Sequence, residues 1–142
     1  MIMISLLYLL IGSLDGPLAQ RPAPQACLRY EPDTTAVTGV LTRRMFYGPP
    51  GYGEDPKHDS KEPGFYLELS KGVCTVVGKY ADLDVPKSDV RSIQLVLDAA
   101  GYKRLRPSLG KTITLRGTLF ASHTGHHHAE LLLTVLRPSS AR

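Results

Sequence analysis

The carboxy-terminal third of the chain places the tightest limit on its fold. Residues 112–120 and 130–136 are apolar runs rich in Thr, Ile, Val and Leu, and they flank Ser122-His123-Thr124-Gly125-His126-His127-His128. Runs of this length and composition read as strands, and a polar stretch with glycine between them reads as a hairpin turn. The turn also carries four of the five histidines, so the hairpin tip is where the chemistry concentrates.

Strand patterns recur upstream. Residues 37–42, 65–69 and 74–77 alternate apolar with small or polar side chains and are bounded by Gly or Pro. Residues 93–97 are a short, β-branched run read as a strand, although Val90, Ile93, Leu97 and Ala100 would also form a helical stripe. Residues 102–109 suggest a brief helical turn closed by Gly110. The expected class is therefore all-β: a small OB-like barrel of five or six mainly antiparallel strands with one short helical insertion. A two-sheet sandwich is the alternative. Gly39 and Gly117 lie inside strand patterns, where a missing side chain marks a bulge or a tight bend at a barrel corner.

The domain limits follow from composition. With 142 residues and 42% apolar content, the chain suits one domain. Residues 1–11 are apolar apart from Ser5 and Tyr8, and turn-formers follow; the pattern reads as a signal peptide over 1–19, too short for a permanent transmembrane anchor. A Pro- and Ala-rich flexible lead-in over 20–26, the barrel domain over 27–137 and a disordered tail over 138–142 complete the expected organisation. Cys27 lacks the preceding residues of a lipidation site. The expected location is periplasmic or secreted. Removing 1–19 takes away Asp15 and no Lys or Arg, so the formal charge of +4 rises by one. A basic exported protein suits an envelope protein or an anionic cell-envelope polymer as partner, and argues only weakly for nucleic acid. Cys27 and Cys74, an even pair in an oxidising compartment, read as one disulfide rather than two buried thiols.

If Thr124-Gly125 were a two-residue turn, His123 would face His126 and Ala121 would face His128. Parity would then place His123, His126 and His128 on one face, above the apolar interior. Three converging imidazoles suit zinc or copper. They equally suit a hydrogen-bonded cap on the barrel end, or a solvated turn. No nucleophile, paired-carboxylate or phosphate-loop motif is present, so the chain is expected not to be an enzyme and no catalytic residue is assigned. Residues 47–63, with Tyr47, Pro49 and Pro50 at their start, form a long Gly- and Pro-rich loop, either functional or disordered. Lys103, Arg104 and Arg106, with Lys111 and Arg116, form a basic cluster that suits an acidic partner or is simply solvated. The candidate binding residues are thus Tyr47, Pro49, Pro50, Lys103, Arg104 and Arg106.

The ordered series Cys27-Leu28-Arg29-Tyr30-Glu31-Pro32, Gly39-Val40-Leu41, Phe46-Tyr47-Gly48-Pro49-Pro50, Gly72-Val73-Cys74, Ile93-Gln94-Leu95-Val96, Leu109-Gly110-Lys111 and His123-Thr124-Gly125-His126-His127-His128 resembles an uncharacterised bacterial family, the domain of unknown function numbered four thousand four hundred and thirty-one. The resemblance runs from Cys27 to about Leu136, and the Thr-Gly-His-His-His tip is its most specific element. It implies a small exported protein of Gram-negative bacteria and no particular activity. Ala129 stands where the family pattern often has Thr. The functional expectation is a non-enzymatic binding or inhibitor-like module. The alternatives are a histidine-cluster metal-binding protein and a structural, envelope-associated accessory domain.

Overall fold

One long strand, β1 (Thr34–Tyr47), is shared by two neighbours. Its first half, through Val40, pairs antiparallel with β4 (Thr112–Ala121), and its second half, from Val40 on, pairs antiparallel with β2 (Lys61–Val73). The changeover sits beside Gly39, where a Cβ would lie 2.8 Å from the Glu68 carbonyl oxygen. A side chain there would prevent the bend. Gly117 serves the same end on β4, since a Cβ would run into the Thr134 carbonyl oxygen of the neighbouring strand. Both glycines are thus points of close backbone approach.

In this computed structural model, which describes residues 26–137, the remaining strands complete a ring. β2 pairs antiparallel with β3 (Val90–Val96); β5 (Leu131–Val135) lies parallel to β3 on one side and antiparallel to β4 on the other. The order is β1-β2-β3-β5-β4, closing on β1. With α1 (Ala99–Leu105) between β3 and β4, this is the small OB-like barrel expected, built from five strands among the described residues. A single sheet closing on itself replaces the sandwich alternative. The expected signal peptide over 1–19, the expected lead-in apart from Ala26 and the expected tail over 138–142 lie outside the described residues. No helix among the described residues is long and apolar enough to cross a membrane.

Three local expectations are corrected. Residues 74–77 are not a strand: only Thr75 makes a bridge, to Leu28. Thr75 N–H donates to Lys87 O, and its hydroxyl accepts from Lys87 N–H and donates to the Tyr30 hydroxyl, so its polar groups are used in a local knot rather than a ladder. The helix begins at Ala99 rather than 102, because the Asp98 side chain accepts from Gly101 N–H at 2.6 Å and caps its first turn. A single 3-10 turn over Arg106–Ser108 follows, and Gly110, at φ +79°, ends it. The long loop narrows to 48–60, because β1 runs on to Tyr47 and β2 starts at Lys61.

The disulfide joins Cys27 to Cys74. Beside it Leu28 N–H donates to Cys74 O at 2.8 Å and Val76 N–H to Leu28 O at 3.1 Å. Such a bond fits a non-cytoplasmic compartment.

Alternation along the strands fills the interior. Leu41, Phe65, Leu67, Ile93, Leu95, Leu119, Leu131 and Leu133 point inward, and Leu105 of α1 packs onto them. Tyr66 and Leu132 are of the opposite parity, outside this cluster, and yet fully buried. Something covers the outer face of the sheet there.

Candidate functional site

The cover is the histidine loop, residues 122–130. The strand registers align an outward row Thr42–Tyr66–Gln94–Leu132–Phe120. His128 lies flat on Phe46 beside that row, with ring centroids 4.0 Å apart and 4° between planes. His127 and His123 pack at an angle on Phe120, at 5.4 and 5.8 Å. Gln94 fastens the loop: its amide nitrogen donates to His126 O at 2.9 Å and its amide oxygen accepts from His128 N–H at 2.6 Å. Both ends of one side chain are satisfied by loop backbone.

This arrangement replaces the two-residue turn. Ala121 pairs with Leu131, not His128, and the reversal is wide, with His127 N–H donating to Thr124 O. The odd offset inverts the parity on which the grouping of His123, His126 and His128 rested. Backbone groups that a tight hairpin would have paired across the ladder are held by Gln94 instead.

The four imidazoles separate into distinct roles. His123 donates from Nδ1 to Ala121 O at 3.0 Å, and its backbone N–H donates to His127 Nδ1, also at 3.0 Å. His127 therefore accepts at Nδ1 and is neutral in this arrangement. Burial, followed by the repulsion of His123, His126 and His128, holds its pKa below the usual imidazole value. His126 donates from Nδ1 to Glu62 Oε2 at 3.0 Å, and its Nε2 lies 3.2 Å from the Tyr52 hydroxyl. Burial also lowers the pKa of His128, with Glu62 opposing the shift and His126 adding to it. Its Nε2 is buried without a hydrogen-bond partner among the described residues.

Tyr52 reaches His126 from the opposite loop. Residues 48–60 are ordered around Asp59, whose two carboxylate oxygens accept from Gly51 and Gly53 N–H at 2.7 Å each. Burial opposes the charge on Asp59, but the N–H groups of Gly53, Gly51 and Asp55 outweigh it and lower its pKa below the usual carboxylate value. Tyr52 has φ of 49°, a left-handed conformation costly for a ring-bearing residue. In that conformation its ring meets His126 edge-on at 5.3 Å.

A cleft of about 240 Å³ lies between the histidine loop and the ends of β1, β2 and β3, with α1 at its side. Phe46 and Glu62 form one wall, His126 and His128 another, with Gln94 and Tyr102 completing the lining. Tyr102 donates its hydroxyl to Pro63 O at 3.3 Å, and burial, aided by Glu62, raises its pKa. Tyr66 lies behind Gly64, with its hydroxyl also unpartnered, and burial pushes its pKa up to about 12 despite the Arg44 guanidinium 4.6 Å above its ring. An orphan buried polar atom costs roughly 1–3 kcal/mol, so two within one small region are notable. The site pairs His126 with Glu62 and offers an acceptor or donor at His128, beside a stacked aromatic wall.

Of the residues expected to bind, Tyr47, Pro49 and Pro50 stand at the base of the 48–60 loop and do not line the cleft. Tyr47 is instead capped by Lys61, with Nζ 3.5 Å from the ring centroid. Lys103 and Arg104 lie on the exposed side of α1, and Arg106 opens the turn that follows. The structure does not gather His123, His126 and His128 into one set. Among the described residues, no three His, Cys, Asp or Glu side chains form a group able to hold a metal ion. Phe46, Glu62, Gln94 and Tyr102 carry the cleft and were not singled out together from the sequence. The signal for covered outer faces lay in the unbroken apolar runs 65–67 and 131–133, which indicate strands buried on both sides.

The histidine loop, with most of β3 and all of α1, β4 and β5, falls within one stretch that a family model recognises. Residues 92–137 match the family described as Domain of unknown function (DUF4431). It is the family that the sequence resembles. The DUF4431 match supplies Gln94, Tyr102 and all four loop histidines, whereas Phe46, Tyr52, Glu62 and Tyr66 come from the chain preceding it. No curated protein and no solved structure matches the chain.

Proposed function

We propose that this protein is a non-enzymatic binding module of the bacterial envelope, exported by its leader and oxidised at Cys27 and Cys74, that takes one projecting group of a larger partner into the histidine cleft. The observation that carries this reading is the buried Nε2 of His128, without a hydrogen-bond partner among the described residues, on a residue that lines a cleft between the histidine loop, β2, β3 and α1. A volume of about 240 Å³ is below the usual range for a whole small-molecule ligand, but accommodates a single sugar ring or amino-acid side chain. Phe46 and Tyr102 supply apolar surface. Glu62, Gln94 and His126 surround it with polar groups that fix orientation. The partner is an envelope protein or polymer presenting such a group.

The test is a titration of isotope-labelled mature protein with a panel of neutral and amino sugars and capped amino acids, followed by amide chemical shifts. Saturable shifts confined to the Gln94 side chain and the His126 to His128 amides, lost in His128→Phe, support the reading. An absence of saturable shifts across the panel, or shifts centred elsewhere, refutes it.

A further inference from the structure

A second concavity lies between α1 and the strands β4 and β5, and it shares no lining residue with the histidine cleft. Its volume is about 700 Å³, within the range of sites that hold a small molecule. Leu105, Leu115, Val135 and Leu136 form an apolar floor, and Leu136 remains 47% exposed. The rim is cationic: Arg104 comes from α1, Arg116 from β4 and Arg137 from just beyond β5.

Local structure brings these three arginines to the edge of the concavity. Leu136 N–H donates to Arg116 O at 2.9 Å, which carries the β4–β5 pairing beyond Val135 and brings Arg137 to the rim. Leu105 anchors the helix in the core, so Arg104, one position before it, stands at the edge. Asp98 accepts from Arg137 at 2.6 Å, while its other oxygen accepts from Gly101 N–H. Its charge is already engaged. Among the described residues no carboxylate pairs with Arg104 or Arg116. A neighbouring hollow of about 340 Å³ shares Arg104, Val135 and Arg137 and extends the path toward Leu97.

The two properties ask for one ligand. An apolar floor left in water forgoes the favourable free energy of burying it. Guanidinium forks match the oxygens of a carboxylate or phosphate and favour them over other anions of less suitable shape. A neutral lipid would leave the rim unpaired, and a bare anion would leave the floor wet. We propose that this groove binds a single-chain anionic amphiphile, its acyl chain on Leu115, Val135 and Leu136 and its head between Arg104 and Arg116. This goes beyond the cleft-binding reading, in a different place and for a different class of ligand.

The experiment is calorimetric titration of the mature protein with oleate and with lysophosphatidic acid, each below its micellar concentration. Acetate and inorganic phosphate serve as heads without chains, and dodecyltrimethylammonium as the chain with the opposite charge. Saturable binding of either anionic amphiphile at one per chain is expected, at least tenfold weaker in R104E/R116E and in L136D, and unchanged in K57E/K71E, which makes the same charge change elsewhere. Preference for oleate or for lysophosphatidic acid distinguishes a carboxylate head from a phosphate head. Equal binding of dodecyltrimethylammonium, equal loss in K57E/K71E, a bare anion binding as tightly as its amphiphile, or no saturable binding overturns the proposal. Circular dichroism and melting temperature establish that each variant is folded before it is compared.

Discussion

Removing the disulfide should destabilise the domain by about 4 kcal/mol without unfolding it. The two cysteines are separated by 47 positions, and the loop-entropy relation for a closed loop of that size gives about 4 kcal/mol at 25 °C. The native contacts around the bond do not depend on it. Leu28 still bridges Thr75, and Tyr30, 3% exposed, still donates to Val85 O and accepts from the Thr75 hydroxyl. The effect therefore falls on the unfolded chain, which gains conformations once the cross-link is gone. For a domain of this size the loss corresponds to a drop in melting temperature of about 15 °C. Urea denaturation of C27A/C74A beside the oxidised protein measures both quantities, and the variant should also show the larger denaturant dependence of a less compact unfolded state. A loss under about 1 kcal/mol would refute the loop-closure account. A variant that fails to fold would refute the claim that the surrounding contacts are self-sufficient.

Other perturbations test the remaining geometry. Burial lowers the pKa values of His127 and His128, so between those lowered values and the ordinary imidazole value of about 6.5 the unfolded chain binds more protons than the folded one. Their contribution to stability is complete above about pH 6.5 and is lost as pH falls through the folded values; urea midpoints from pH 8 to 5 should fall in the natural protein and flatten in H127Q/H128Q. Gly117→Ala forces a methyl group into the Thr134 carbonyl and should cost about 1–3 kcal/mol, against about 1 kcal/mol for Gly110→Ala, where only the positive φ is at stake. Thermal denaturation ranks the two. Gln94→Leu removes both hydrogen bonds that fasten the histidine loop, and hydrogen exchange should show His126 to His128 losing protection while β1 and β4 keep theirs. Elemental analysis of tag-free mature protein should find no stoichiometric zinc or copper, since His123, His126 and His127 each engage a separate partner.

The barrel was legible because its strands follow simple patterns. Leu131 to Val135 and Thr112 to Ala121 are apolar at every second position or throughout, and no other element suits such runs. The helical turn was placed three residues late, because the Asp98 cap that starts it at Ala99 was not read from the sequence. The histidine tip was noticed and its geometry misjudged. Sequence spacing within a hairpin says nothing of a glutamine on a third strand, and Gln94 is what widens the turn. The cleft draws on Phe46, Glu62, Gln94 and His128, which meet only because the ring closes, so their joint role belongs to tertiary structure. Residues 74–77 looked like a strand for the same local reason that 37–42 did, and differ only because Thr75 found partners in Leu28, Tyr30 and Lys87.

The position of β5 has a consequence for how the chain is made. It is the last of the described strands to leave the ribosome, and it inserts between β3 and β4, both synthesised before it. Until it arrives, those two strands each present an unpaired margin, and the interior lacks Leu131 and Leu133. A nascent chain therefore cannot complete its fold ahead of time, and the contacts that close the ring span long stretches of sequence, which slows folding. Such a chain stays in an open form until β5 has been synthesised. Any truncation before Leu131 would leave that open form permanent, with two adhesive strand margins exposed.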